Sequence, residues 1–123
     1  MIVAVALAGG AGAIVRFVID GVVSSRSRLT VPVGTLCINV TGSGALGFLI
    51  ACYGWGSGSA GEELRLLLGV GFLGGYTTFS TACVESVRLA AAEQKKKALF
   101  LALGSYAASL LAAALGFVAG GMC

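Results

Sequence analysis

The chain has 123 residues, of which 58% are hydrophobic and 11% charged, with a net charge of +3 and a mean hydropathy of +1.00. A soluble domain carries about a quarter charged residues, so this composition excludes a soluble globular protein and indicates a membrane protein. The absence of histidine and the presence of only five acidic residues exclude a histidine-based catalytic site and argue against an enzyme.

Four apolar segments, at residues 3–23, 33–53, 64–89 and 98–118, are each close to the roughly 20 residues that a bilayer requires. We therefore predict an all-α membrane protein whose residues 1–123 form a single domain of four transmembrane helices. The four cysteines show no CxxC spacing, so we expect them to be small packing residues.

The first span carries small residues ahead of an arginine. Gly9 and Ala13 are four residues apart, as are Gly12 and Arg16, so this side of the helix is expected to meet protein. Two interpretations of Arg16 are open. It either extends to the cytoplasmic membrane surface, or it attracts anions at the entrance of a vestibule.

The second span has one polar stripe, because Thr35, Asn39 and Ser43 recur every four residues. An asparagine at membrane depth needs a partner. Its amide either holds helices together through a hydrogen bond or offers two donors suited to an anion.

The third span contains GFLGGYTTFST at residues 71–81, with three glycines and five hydroxyl side chains. Glycine frees the backbone, and Thr and Ser compete for its hydrogen bonds, so we predict a helix broken at mid-membrane. A break of this kind survives only where protein or water satisfies its carbonyls, and it is therefore a candidate binding site. The alternative is that the glycines serve only close packing and the threonines bond back to their own helix.

The glycine- and serine-rich segment 54–61 precedes that span and is predicted to be a flexible outer loop. In the fourth span Ser105 and Ser109 are four residues apart and form another polar face, unless each bonds its own backbone. Gly116 and Gly120 form a small-xxx-small pair for helix packing.

Positive charge is concentrated in the loops on one side of a four-span arrangement. By the positive-inside rule these loops face the cytoplasm and both termini face outward. The opposite side carries Arg65 alone. The cytoplasmic group comprises Arg26, Arg28, Arg88, Lys95, Lys96 and Lys97, the three lysines ending the last loop.

The polar residues predicted at membrane depth are neutral, and no acid is expected among them. Cation pathways and proton-coupled exporters place carboxylates there, so donors without acids favour a small anion. Phe79 either turns its positive ring edge to that anion or belongs to the core. The neutral set comprises Thr35, Asn39, Ser43, Thr77, Thr78, Ser80, Thr81, Ser105 and Ser109.

Three segments, GGAGAIVRF, GTLCINVTGSGALG and GFLGGYTTFSTACVE, resemble the Fluc (CrcB) family of fluoride channels over nearly the whole chain. The resemblance implies a four-helix subunit, antiparallel dual-topology dimers with two fluoride pores, and a structural sodium ion at the dimer centre. It also implies passive export of fluoride across a prokaryotic plasma membrane, which reduces fluoride toxicity.

The resemblance also implies roles for individual residues. The carbonyls of Gly74 and Thr77 would bind sodium, Asn39 would donate to fluoride, and Phe79 would present its ring edge. The remaining residues of the implied fluoride pathway are Ser80, Thr81, Ser105, Ser109, Thr35 and Arg16.

One position departs from the family pattern, because Ala82 stands where a second phenylalanine usually follows. A pore lacking one ring and a one-sided charge distribution suggest a heterodimer with a related subunit of opposite topology, and a homodimer is the alternative. This chain would then be an accessory subunit with a degenerate pore. A small multidrug exporter is the remaining alternative, but its first span needs a carboxylate where this chain has Arg16.

Overall fold

The computed structural model describes residues 1–27, 33–54 and 58–123. Arg28, part of the predicted charge bias, and Ser57 of the predicted outer loop lie outside these residues. The helices within the described residues are α1 (Ile2–Arg26), α2 (Val33–Cys52), α3 (Gly58–Leu64), a π-helical segment (Arg65–Leu73), the single turn α4 (Gly74–Tyr76), α5 (Ser80–Ala91) and α6 (Lys95–Gly120).

These elements provide four helical stretches long and apolar enough to cross a membrane, which confirms the predicted all-α transmembrane fold. They comprise 25 residues in α1, 20 in α2, 34 from Gly58 to Ala91 and 26 in α6. The shortest, α2, is about 30 Å long at 1.5 Å per residue, the thickness of the hydrocarbon core. The chain is a multi-pass membrane protein.

Two predicted loops are shorter than expected. Residues Gly58–Gly61 of the predicted flexible segment are helical and begin α3, with Gly58 at a φ of 82°. Lys95, Lys96 and Lys97 form the first turn of α6 and are not part of the loop. Hydropathy marks where a chain crosses the bilayer, whereas a helix continues into the interface wherever its backbone hydrogen bonds remain satisfied. The predictions that these two segments are loops were therefore wrong.

Few side chains are buried within the single chain. Ile38 is 1% exposed, whereas Phe17 is 81% and Phe100 74% exposed. Lipid tails solvate such side chains as well as a protein core does, so a membrane bundle is held together mainly by close helix packing and not by a buried apolar centre.

Glycines provide this close packing at two interfaces. Between α2 and α6, a Cβ on Gly116 would collide with the Gly44 carbonyl oxygen, and one on Gly47 with the backbone of Ala113. Between α1 and the third span, a Cβ on Gly12 would collide with the Phe72 carbonyl oxygen. The predicted packing roles of Gly12 and Gly116 are thereby confirmed.

We expect Gly116→Ala to destabilise the protein by about 1–3 kcal/mol, because the added methyl group forces the backbones of α2 and α6 apart. Gly104→Ala is the matched control in the same helix, since a Cβ there meets nothing within 4 Å. Denaturant titration of the two purified variants in detergent measures the difference. Equal stability of Gly116→Ala and Gly104→Ala would show that α2 and α6 can move apart without loss of stability.

The third span is interrupted, as predicted. Helix α4 ends at Tyr76 and α5 begins at Ser80, and between them Thr77 adopts an extended conformation with φ −80° and ψ 158°. The π-helical segment before the break was not predicted. Its buried Gly69 and Gly71 lie against neighbouring helices, and π-helical turns commonly accompany functional sites.

Candidate functional site

The break is held open by a side chain of α2. Asn39 Nδ2 donates a hydrogen bond to the Thr78 carbonyl oxygen at 2.8 Å, and the Thr78 N–H donates to Asn39 Oδ1 at 2.9 Å. The amide thus pairs with both backbone groups of one residue, as a neighbouring strand would. The predicted interhelical role of Asn39 is confirmed, and one of its two amide hydrogens remains for another acceptor.

This arrangement removes helical donors from two carbonyl groups. In an unbroken helix the Thr78 N–H would bond the Gly74 carbonyl, but it bonds Asn39 instead. The Thr81 N–H would bond the Thr77 carbonyl, but it donates to Thr78 Oγ1 at 3.2 Å. The carbonyls of Gly74 and Thr77 therefore both lose the partner that an α-helix would supply.

A second contact fixes the other side of the break. The buried Tyr76 hydroxyl lies 2.9 Å from Thr41 Oγ1 of α2. Thr41 in turn donates to the Cys37 carbonyl at 2.7 Å. Helix α2 therefore anchors the residue before the break through Thr41 and the one inside it through Asn39.

The break opens onto a groove of about 600 Å³ between α2, the interrupted third span and α6. Most of its wall is apolar, from residues such as Leu46, Leu73 and Leu101. The predicted polar residues that it brings together are Thr35, Asn39, Ser43, Thr77, Thr78, Ser105 and Ser109.

Four hydroxyl groups of the groove have no partner among the described residues: those of Ser43, Ser105, Tyr106 and Ser109. The alternative that Ser105 and Ser109 bond their own backbone is therefore wrong for this conformation. Thr77 differs, because its Oγ1 donates to the Leu73 carbonyl at 3.0 Å. The serines and the second Asn39 hydrogen give the groove donors that a bound group can use.

Phe79 lies in the break itself and lines the groove. Its side chain is 80% exposed, so the alternative that it belongs to the core of this chain is wrong. Ala82, three residues later, lines the same groove and leaves its side of the wall without a second ring.

The sequence interpretation missed Glu85, which it assigned to the cytoplasmic end of the span. Glu85 lines the groove, and its Oε1 accepts a hydrogen bond from the Thr35 hydroxyl at 3.0 Å. Its Oε2 is buried without a partner in the part of the chain that is described. The prediction that no acid accompanies the donors was wrong. The signal was available, because Glu85 follows Ala82 by three residues and therefore shares a helical face with the position where the family usually has its second phenylalanine.

Three predicted pathway residues do not line this groove. Ser80 and Thr81 lie at the start of α5, where each hydroxyl is within 3.3 Å of Thr78 Oγ1. Arg16 lies on α1, and its buried Nε has no partner among the described residues. The groove therefore unites the donors of α2, of the break and of α6 but not the arginine of α1.

A cation at this site would depend on backbone oxygens. Residues 1–27, 33–54 and 58–123 contain no group of three or more Cys, Asp or Glu side chains placed to hold a metal ion. The carbonyls of Gly74 and Thr77 are oxygens at the break that lack their helical donors, and hard monovalent cations accept such ligands.

Comparison with known proteins shows the family. Residues 3–117 match the family model described as "CrcB-like protein, Camphor Resistance (CrcB)". "Fluoride-specific ion channel FluC 1" of Leifsonia xyli is 49% identical over 99% of this chain and 88% of its own length. "Fluoride-specific ion channel FluC 2" of Cutibacterium acnes is 44% identical over 94% of both chains. "Fluoride-specific ion channel FluC 1" of Listeria monocytogenes is 43% identical over 89% of this chain and 87% of its own. The chain belongs to the CrcB family.

Proposed function

We propose that this protein is a channel that lets fluoride leave the cytoplasm passively through the plasma membrane. The observation that carries the proposal is the row of available donors along the groove, from the second amide hydrogen of Asn39 on α2 to the hydroxyl groups of Ser105 and Ser109 on α6. Its relatives are named fluoride-specific ion channels, and the chain covers them almost end to end.

Fluoride is small and strongly hydrated, so its passage requires donors that replace water at several weak sites in succession. Neutral hydroxyl and amide groups meet this requirement, because they stabilise an anion without trapping it. The apolar wall around them excludes water and strengthens each contact. Larger halides fit the same closely spaced donors poorly.

Glu85 is the carboxylate that a proton-coupled exporter would need, but the match to the CrcB family over residues 3–117 supports the channel instead. We assign the fluoride contacts to Asn39, Ser105 and Ser109, with the edge of Phe79 beside them. Ser80 and Thr81 are proposed to act by shaping the break. Thr35 is proposed to lie toward the vestibule, to which Arg16 supplies positive charge.

A bacterial strain that lacks its own fluoride channels provides a direct test. Expression of this chain, together with its native partner where there is one, should restore growth in millimolar fluoride. Growth that stays as sensitive as in the empty-vector strain, with the protein present in the membrane, would contradict the proposal.

We also propose that the carbonyls of Gly74 and Thr77 bind a structural sodium ion shared with a second subunit. The support is the loss of both helical donors, together with the exposure of Gly74 on the surface of the single chain. A sodium ion there would add fixed positive charge next to the anion groove, where low dielectric strengthens its effect.

Removal of sodium tests this site without measuring transport. The purified dimer should melt at a lower temperature in N-methylglucamine chloride than in sodium chloride of equal ionic strength. Saturation at about 100 times the dissociation constant stabilises a site by about 2.7 kcal/mol. Thr77→Ser should keep this dependence, because main-chain oxygens are the ligands. A melting temperature independent of sodium would refute the site.

The subunit is proposed to pair with a related chain inserted in the opposite direction. Arg26, Arg88 and the three lysines that begin α6 lie on one side of the membrane, against Arg65 on the other. Such a bias inserts most copies in one orientation. An antiparallel pair then requires a chain of opposite bias, and Ala82 suits a subunit that has lost part of one pore. A homodimer is the alternative, and it needs insertion in both orientations.

Labelling of an engineered cysteine in intact cells separates the two arrangements. In a chain whose four native cysteines are replaced, Ser59→Cys is exposed at the predicted outer end, and Gln94→Cys is exposed at the cytoplasmic end. An impermeant maleimide should label most copies of the first variant and few of the second. Equal labelling of both would demonstrate dual insertion and support the homodimer.

A further inference from the structure

Two cysteines meet at one end of the bundle, away from the groove. Cys52 is the last residue of α2, and Cys123 follows the end of α6. This end also carries the start of α3, and the charge distribution places it outside the cytoplasm. Both residues are free thiols, Cys52 half-buried and Cys123 exposed.

A single carbonyl oxygen joins the two residues. Cys52 Sγ donates to the Gly120 carbonyl at 3.4 Å, and the Cys123 backbone N–H donates to the same oxygen at 3.1 Å. Gly120 makes this approach possible, because a Cβ at that position would lie only 2.8 Å from the Ala51 side chain.

The other cysteines are separated from this pair. Cys37 lies near the opposite end of α2, about 22 Å along the helix at 1.5 Å per residue. Cys37 therefore cannot reach Cys52 within one chain without unfolding the helix, since a disulfide requires Cα atoms within about 7 Å. Cys83 lies on α5, just after the break.

We propose that Cys52 and Cys123 form a reversible disulfide on the extracytoplasmic side of the membrane. The Cys123 thiolate, the more exposed of the two, attacks an external disulfide, such as that of an oxidised thiol–disulfide oxidoreductase or of oxidised glutathione, and releases one thiol. The Cys52 thiolate then attacks the resulting mixed disulfide, forms the Cys52–Cys123 bond and releases the second thiol. Two electrons and two protons pass from the cysteines to the external disulfide.

The bond would fix the distance between the ends of α2 and α6. These two helices carry donors on facing walls of the groove, including Asn39 and Ser105. The disulfide therefore stabilises the groove in copies whose termini face the oxidising side. Copies inserted in the opposite direction would expose the pair to the reducing cytoplasm and remain unlinked.

The test treats the purified full-length protein with oxidised glutathione and then counts free thiols by maleimide mass tagging. The reduced chain has four free thiols. After oxidation we expect two, with Cys52 and Cys123 recovered as one linked peptide within a single chain. Peptide mapping of the unaltered protein decides this even if a variant fails to fold.

Variants supply the controls. Cys83→Ser should still lose two thiols, whereas Cys52→Ser and Cys123→Ser should form no intrachain link. Oxidation should raise the unfolding midpoint of the parent and of Cys83→Ser but not that of Cys123→Ser. Retention of all four thiols by the parent, a link between separate chains, or a link through Cys37 or Cys83 would overturn the proposal.

Discussion

Asn39→Ala is expected to slow fluoride efflux by about fivefold to a hundredfold, since a group left unpaired in a partly buried site costs about 1–3 kcal/mol and each 1.4 kcal/mol is a factor of ten. The substitution removes the amide donor proposed to contact fluoride. It also removes both hydrogen bonds to Thr78, so the break loses its anchor on α2. Efflux from vesicles containing equal amounts of folded protein measures the effect.

Asn39→Asp separates these two roles. The carboxylate keeps an acceptor for the Thr78 N–H but loses the donor and adds negative charge. Ser86→Ala is the control, because the Ser86 hydroxyl bonds the Ala82 carbonyl of its own helix at 2.8 Å. We expect Asp to conduct as poorly as Ala and Ser86→Ala to conduct like the parent. Parental efflux by Asn39→Asp would show that fluoride needs no donor at this position.

Phe79→Leu is expected to slow fluoride efflux at least about tenfold without destabilising the fold. The side chain is 80% exposed, so it contributes little to the packing of the single chain. Leucine preserves much of the apolar volume but has no positive ring edge to face an anion. The loss of about 1.4 kcal/mol at that contact is sufficient for the expected decrease.

Phe100→Leu is the matched control, a phenylalanine of α6 that is 74% exposed and is not part of the groove wall. It should melt and conduct like the parent. If Phe79→Leu also conducts like the parent, the ring edge has no role. If both variants slow efflux equally, the slower efflux results from replacing any lipid-facing phenylalanine and not from a specific role of the Phe79 ring.

The architecture was predictable from the sequence because its signals are strong and local. Long apolar runs mark membrane crossings, and glycines interleaved with threonines marked the break. The spacing of Asn39 from Thr35 and Ser43 correctly placed all three on one wall. The helix ends were less predictable, because polar residues such as Lys95 extend a helix into water without changing the hydropathy of its core.

The contacts that define the site were harder to predict. Nothing local shows that the Asn39 amide pairs with the backbone of Thr78, 39 residues away, since that depends on how two helices cross. Glu85 was missed because hydropathy placed it near the membrane surface. Its three-residue distance from Ala82 on α5 places it on the groove face, where Thr35 donates to it. The position of Glu85 along the helix axis was therefore misleading, whereas its angular position around the helix indicated that it faces the groove.

The most direct test of the channel proposal compares fluoride with chloride in reconstituted vesicles. The protein is purified through a tag on this chain, together with any subunit that copurifies. Release of each anion is recorded with an ion-selective electrode, and an ionophore dissipates the membrane potential that anion release builds up across the vesicle. We expect rapid loss of fluoride while chloride is retained. Equal release of the two anions, or fluoride release no faster than from protein-free vesicles, would contradict the assignment of this groove to fluoride.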